Sequence, residues 1–224
     1  MTSSATGYDD PVPTARRTAR RIPRRRIRLD NDQRRAQLLE LAKTAFSGRA
    51  YDDVSIDDLA REAKISKGLL YHYFPTKRDL YVAGLTEIAD ELVDACTNVS
   101  DDLPPIERVR QSIDAYLDHI GRHALSFVSL MRGGIGSDPE VAQVIEGVRA
   151  RLFERFLVGS PFSTLLANDV RFQTAVRGWI GFVEAASIDW CANPRLTKLE
   201  LRDLLAQVLF EIMRVTTPQI FPKP

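Results

Sequence analysis

Residues Ser66 to Lys77 read Ser-Lys-Gly-Leu-Leu-Tyr-His-Tyr-Phe-Pro-Thr-Lys. Two hydroxyls, two ammonium groups and three rings with hydrogen-bonding tips stand within these twelve positions. A buried helix would not carry so many polar ends, and a solvated loop would not carry so much aromatic surface. The mixture suits a polyanion. Ser66 offers a hydroxyl beside a helix N-terminus, a favourable place for phosphate. Lys67 can reach guanine O6 and N7 or a phosphate oxygen. Tyr71, His72 and Tyr73 can hold phosphates at a surface, and Lys77 adds a cation beside a second helix start. Gly68 has no side chain, so backbone and groove can approach closely, at a helix cost of roughly 0.5–1 kcal/mol. Leu69 is exposed in this reading and can touch a thymine methyl. With Ser55 just upstream, the candidate DNA contacts are Ser55, Ser66, Lys67, Gly68, Leu69, Tyr71, His72, Tyr73 and Lys77.

The flanking residues supply the elements that must position these groups. Leu38, Ala42, Ala45 and Phe46 share one face of a first helix, which Gly48 closes. Ser55-Ile56-Asp57-Asp58 reads as a capping box opening a second, short helix with Ile56, Leu59, Ala60 and Ala63 inward. Lys64-Ile65 makes a tight turn, and Ser66 caps a third helix over 67–73. Leu70 and Phe74, four apart, point to the core. Pro75 forces Phe74 out of the helical region, and Thr76 with Asp79 starts a long helix running to about residue 99. Two short helices joined by a tight turn form a helix-turn-helix, whose second helix presents its N-terminal residues to the major groove.

Further helical periodicity covers 105–120, 123–132, 138–158, 168–191 and 197–214, with no period-2 strand pattern. The expected fold is all-α, with about nine helices.

Residues 34–81, "RRAQLLELAKTAFSGRAYDDVSIDDLAREAKISKGLLYHYFPTKRDLY", resemble the DNA-binding domain of the TetR family of transcriptional regulators. The resemblance covers about a fifth of the chain. It implies that Lys67 and Gly68 approach bases while Ser55, Tyr71, His72 and Lys77 hold phosphates. Two positions depart from the family pattern: Lys64 stands where the turn usually has Gly, and Leu69 where a polar residue is common. The resemblance also implies a three-helix DNA-binding domain over 30–81 and a helical ligand-binding and dimerisation domain over 82–224. The implied function is that of a homodimeric repressor, released from an inverted-repeat operator by a small, largely apolar effector. Residues 136–156 and 178–205 further resemble the ligand domains of regulators of lipid metabolism, which adds an acyl-chain or lipid-derived molecule as one form of that effector. A DNA-binding, nucleoid-like structural protein without an effector is the alternative.

Charge is unevenly spread. The chain carries a net charge of +1, yet residues 1–35 hold ten Arg against four Asp. With Pro11, Pro13, Pro23 and few large apolar residues, residues 1–29 are expected to be a disordered Arg-rich arm. Such an arm can follow a groove or backbone of DNA, or be a solvated tail or a targeting peptide.

In the second half, Ala175, Gly178, Gly181 and Ala185 line one face of a helix, and Leu201, Leu205, Val208 and Ile212 form a seam on the last. These faces are expected to build a two-fold four-helix interface, with packing inside one chain as the alternative. Phe172, Val176, Trp190, Tyr116, Phe127, Met131, Trp179, Phe182 and Val183 supply apolar surface for a ligand cavity or for ordinary core. Arg132, Arg177, Glu184 and Asp189 can orient a ligand's polar group, and Glu184 can equally pair with an Arg.

No G-x-S-x-G, phosphate-binding loop or dinucleotide fingerprint occurs, so no catalytic residue or cofactor is expected. The three His are His72, His119 and His123. The His119/His123 pair has metal-ligand spacing but Ile-Gly-Arg between, and is expected on a polar face without metal. Two distant cysteines, no apolar leader and no long apolar run lead to a cytoplasmic expectation.

Overall fold

The fold, obtained as a computed structural model, describes residues 24–158, 163–218 and 220. The chain divides into two compact units, Met1–Arg34 and Arg35–Pro224. Among the described residues there are ten α-helices, one short 3-10 helix and no strand, so the fold is all-α. The helices are α1 Arg24–Ser47, α2 Ile56–Glu62, α3 Lys67–Tyr73, α4 Lys77–Thr97 and α5 Pro105–Arg122. They continue as α6 Ala124–Arg132, α7 Pro139–Val158, α8 Ser163–Asn168, α9 Val170–Ala192 and α10 Lys198–Thr216, with the 3-10 helix Gly134–Ser137 between α6 and α7.

Local chemistry sets most of these ends. Ser55 Oγ accepts from Asp58 N at 3.4 Å and Ser66 Oγ from Leu69 N at 3.1 Å. Thr76 and Asp79 complete a reciprocal capping box at α4, as do Thr197 and Glu200 at α10. The box expected at Ser55 is only half made, because the Asp58 carboxylate turns to Arg61 at 2.8 Å instead. Gly133 and Gly136 allow the tight α6–α7 joint: a Cβ at either would fall 2.3 Å from a backbone carbonyl oxygen, of Ser129 and Leu130 respectively.

One core lies under the first three helices. It gathers Leu38, Phe46, Leu59, Leu70, Phe74, Leu80 and Tyr81, and Val141 of α7 joins it. Two further cores join α5, α9 and α10 through Leu117, Val183 and Leu205, and α8, α9 and α10 through Leu166, Phe172 and Leu209. The start of α4 is tied to the start of α7. Arg78 Nε and Nη2 donate to the two oxygens of Asp138 at 2.5 and 2.7 Å, and Asp138 also accepts from Glu140 N and Val141 N. A bidentate Arg–carboxylate pair adds geometric definition as well as energy.

Two expectations need correction. Residues 24–29 are helical, as the first turns of α1, because no Pro or Gly interrupts the chain from Arg24 to Ser47; the rest of the expected arm, 1–23, lies outside the described residues. The expectation of about nine helices stands, with α8 the additional one, its six residues too few for a periodic signal. The α10 seam does not face outward as a unit. Leu201 and Leu205 are buried against α5 and α9, leaving Leu204, Val208 and Val215 toward the open side.

Candidate functional site

On α3 the inward and outward residues separate cleanly. Leu70 and Phe74 are 1% and 3% exposed, while Ser66, Lys67, Gly68, Leu69, Tyr71 and His72 all reach the surface. Tyr73 is half-buried against the core, with the His72 ring edge-on to it at 5.4 Å. A Cβ on Gly68 would meet nothing nearer than Ser66 Oγ at 4.0 Å, so the fold itself does not require glycine there. Lys64, in the turn before α3, has φ 55, the left-handed region, at a cost of about 1 kcal/mol for a residue with a Cβ. Leaving the turn this way lets Ile65 N reach Ala60 O at 3.0 Å.

Lys67 is held by Asp57 of α2, with Nζ 2.9 Å from Oδ1 and 3.0 Å from Oδ2. That contact raises the lysine's pKa, so the group is a cation at any ordinary pH. Lys77 lies over the Tyr51 ring at 4.4 Å, and its Nζ donates to Asp52 O at 3.5 Å. Tyr51 in turn packs edge-on to Tyr81 at 4.9 Å, and Tyr81 edge-on to Phe46 at 4.9 Å. A row of rings thus leads from a surface ammonium into the interior.

Phe46 and Tyr81 form one end of an apolar cavity of about 110 Å³. Leu85 and Ile88 of α4, Ile120 of α5, Phe127 and Met131 of α6, and Ile145 and Val148 of α7 line its walls. The polar groups at its surface are few. Arg149 makes a bidentate pair with Glu184, 2.7 Å from Nε to Oε1 and 2.6 Å from Nη2 to Oε2, and also reaches Glu146. Tyr116 and His119 of α5 and His123, just past its end, fall at i, i+3 and i+7 along the cavity wall. Burial lowers the His119 pKa to about 4, with the His123 ring and Arg122 acting in the same direction. Burial also lowers that of His123 and pushes the Tyr116 phenol well above its ordinary value. Tyr116 Oη, Ser187 Oγ and His123 Nδ1 are buried without a hydrogen-bond partner among the described residues. The neighbouring Ser187 hydroxyl acts on the phenol in the opposite direction to burial.

Residues 38–83 match a family profile described as bacterial regulatory proteins of the tetR family, and residues 105–212 match one described as the tetracyclin repressor-like C-terminal domain. A crystal structure of a tetR-family transcriptional regulator from Streptomyces coelicolor is 31% identical, covers 84% of this chain and 83% of its own, and superposes with a TM-score of 0.75. The chain belongs to the TetR family. Among curated relatives, the HTH-type transcriptional activator FasR of Mycolicibacterium smegmatis is 31% identical over 145 residues, 61% of this chain. The HTH-type transcriptional regulator EthR of the same organism is 28% identical over 114 residues, 50% of this chain. The chain spans 65% and 52% of these relatives' lengths. All of these proteins are described as transcriptional regulators.

Within this TetR-family fold, four of the eight residues expected at a ligand site line the cavity: Tyr116, Phe127, Met131 and Glu184. Arg132 is exposed at the end of α6, and Phe182 is 38% exposed on the outer side of α9. Val183 is buried in the α5–α10 core, and Trp179 packs there too, its indole N–H donating to Leu205 O at 3.0 Å. The sequence placed α9 correctly but not its rotation: Glu184 faces the cavity, one residue on from Val183. Arg177 pairs with Glu146 and Asp189 with Arg195. His119 and His123 are not on a polar face. His119 is 4% exposed, and the two rings stand 4.7 Å apart at the cavity. Their signal was the i, i+3, i+7 stripe with Tyr116, which only a view of α4 and α6 opposite α5 would have turned inward. Among the described residues no group of three metal-ligating side chains occurs, and no helix is long and apolar enough to cross a membrane.

Proposed function

We propose that the protein is a homodimeric DNA-binding regulator that represses transcription and releases an inverted-repeat operator when a small, largely apolar effector fills the cavity. The observation that carries this reading is the pairing of the exposed edge of α3 with an apolar cavity, joined by the Phe46–Tyr81–Tyr51–Lys77 row. Lys67 and Gly68 approach base edges, with Leu69 placed for a thymine methyl. Ser55, Ser66, Tyr71, His72, Tyr73 and Lys77 serve the phosphates. To read a base, Lys67 must exchange Asp57 for the DNA, so part of its attraction is withheld until a matching groove is present. The Arg-rich segment 1–29 adds phosphate contacts and steepens salt dependence. We place the protein in the cytoplasm, where its DNA is.

The dimer reading rests on the outer face of α9 and α10. Gly178 and Gly181 of α9 have open space where a Cβ would go, and Phe182 of α9 and Leu204 and Val215 of α10 are 38%, 42% and 65% exposed. Small residues flanked by exposed apolar ones let a second pair of helices approach closely. A recognition helix on each protomer then meets half-sites about 34–36 Å apart. The cavity favours this reading over a structural DNA binder, which needs none.

Two ties connect cavity to DNA: the aromatic row, and the Arg78–Asp138 pair between α4 and α7, both of which line the cavity further along. A coupling of about 1–3 kcal/mol between such sites shifts affinity roughly 5- to 150-fold. The test is a mobility shift on the DNA flanking the protein's own gene, with competitor DNA present, together with a reporter for the sign of regulation. Absence of a specific complex sinks the reading; a complex that raises transcription keeps the DNA-binding part and reverses the repressor part. Lys67→Ala is expected to reduce discrimination between operator and mutant operator, whereas Tyr71→Phe weakens all sequences alike.

A further inference from the structure

We infer that Arg35 of α1 is a DNA-phosphate contact, held for that task by the ring of Phe74, and that it works beside Lys77 at the joint between α3 and α4. This rests on the reading of α3 as the DNA face and adds to it a residue from outside the helix-turn-helix.

The cations around α3 are placed in two ways. Lys67 sits on Asp57, Arg61 on Asp58, and Arg78 on Asp138 and Glu140. In each of these pairs a carboxylate offsets the charge. Arg35 and Lys77 are placed by rings instead. The Arg35 guanidinium carbon stands 5.2 Å from the Phe74 ring centroid, and Lys77 Nζ 4.4 Å from that of Tyr51. Both rings pack in the core under the first three helices, and these are the two cation–π contacts among the described residues. Among the described residues no carboxylate pairs with Arg35. The difference is chemical. A carboxylate fixes a guanidinium by taking the N–H groups at its edge. A ring takes the face of the guanidinium and leaves its five N–H groups and its charge available. A planar fork held in that way can meet a phosphate with two parallel hydrogen bonds.

Placement is the second argument. Phe74 is 3% exposed and caps the C-terminal end of α3, its N–H donating to Leu70 O at 3.0 Å, so its ring is a fixed platform. Arg35 itself is exposed. Its guanidinium is therefore presented where α3 ends. Lys77 opens α4 three residues after Phe74, at most about 11 Å along the chain, close enough for both cations to meet one stretch of backbone. Tyr71 and His72 reach the surface just before Phe74. A cation at the C-terminal end of α3 also suits the helix dipole, and that structural role would show in stability rather than in DNA binding.

Arg35→Gln keeps a polar side chain and removes the charge. The full-length variant and wild type are titrated over a range of salt with the operator fragment found by mobility shift and with an unrelated duplex of the same length. Affinity is expected to fall about tenfold on both DNAs, because a phosphate contact carries no sequence information. The slope of log K against log salt should become shallower by about 0.9 for each protomer bound. Tm should move by no more than about 4 °C. Arg35→Lys keeps the charge and loses the fork, so the slope should hold while affinity falls by a smaller factor. Phe74→Leu should weaken the wild type and leave Arg35→Gln as it is; an equal loss in both backgrounds overturns the part given to the ring. Unchanged affinity and slope in Arg35→Gln overturn the contact. So does a large fall in Tm with an unchanged slope, which makes Arg35 a structural residue. A loss confined to the operator makes it a base reader and overturns the phosphate assignment. If Arg35→Gln does not fold, Arg35→Lys decides in its place, and wild-type affinity there overturns the forked contact. Wild-type protein that forms no specific complex sinks the DNA-binding reading itself, a result distinct from any shown by the variants.

Discussion

The surface of α3 and the interior between α4 and α7 handle polar groups in opposite ways. Around α3 the polar atoms have local partners: Ser66 caps its own helix, Lys67 sits on Asp57, and Lys77 lies on Tyr51. Beside the cavity, Tyr116 Oη and His123 Nδ1 are buried with none. The first arrangement is complete without a ligand and trades partners when one arrives. The second leaves polar atoms unpaired in the interior, at a cost in free energy. The proposed function draws on both: a DNA face that is formed in advance, and a cavity that packing leaves unfilled.

The largest expected effect contrasts packing on the two sides. Leu70→Ala removes a side chain that is 1% exposed under the recognition helix, and should cost about 2–5 kcal/mol with loss of DNA binding. Leu85→Ala removes one that already borders open volume, and should cost less, about 1–2 kcal/mol. Urea unfolding of both variants compares them. Equal losses would mean the cavity wall is packed as tightly as the α3 core, and the contrast fails.

The second effect is a gain. Ala89 lies on the cavity wall and is 6% exposed. Ala89→Leu directs three further carbons toward that space and is expected to raise stability by up to about 2 kcal/mol, at ~0.8 kcal/mol for each buried methylene. Operator affinity should persist while the effector response disappears. Loss of DNA binding together with the response would show that the two regions are not separable.

How far each region could be read from the sequence follows from the same contrast. Caps, the Lys64 turn and the Pro75 stop act within four residues of themselves, so α2, α3 and the start of α4 were legible to within a residue or two. The Arg78–Asp138 tie spans 60 positions and the Arg149–Glu184 pair 35, and nothing local announces either. For the same reason Trp179 and Val183 were expected at the ligand, when the turn of α9 sets them against α5 and α10 and brings Glu184 round to the cavity. Periodicity tells which residues share a face; what that face meets is a property of the assembled helices.

A third, smaller effect tests whether the turn before α3 is tuned for stability or only tolerated. Lys64 holds φ 55. Lys64→Gly relieves the Cβ clash and is expected to stabilise by about 1 kcal/mol, or a rise in Tm of roughly 2–4 °C for a chain of this size. Operator affinity should not change, since the turn already has its geometry. Weaker DNA binding in this variant would assign Lys64 a phosphate contact.

The smallest effect concerns Gly68, and it separates folding from function. In a helix interior Ala is favoured over Gly by about 1 kcal/mol, and less near the first turn, where Gly68 lies. The nearest atom to an added methyl is Ser66 Oγ at 4.0 Å, so the protein has room for it. Gly68→Ala is therefore expected to leave thermal stability unchanged or raise it slightly, while operator binding weakens because the methyl meets the DNA. If Gly68 served only the fold, the variant would lose stability and DNA affinity together. If it served neither, both would stay as they are. Only a protein whose stability holds while its operator complex weakens has placed glycine there for the partner, and parallel thermal unfolding and operator titration of the one variant decide among the three.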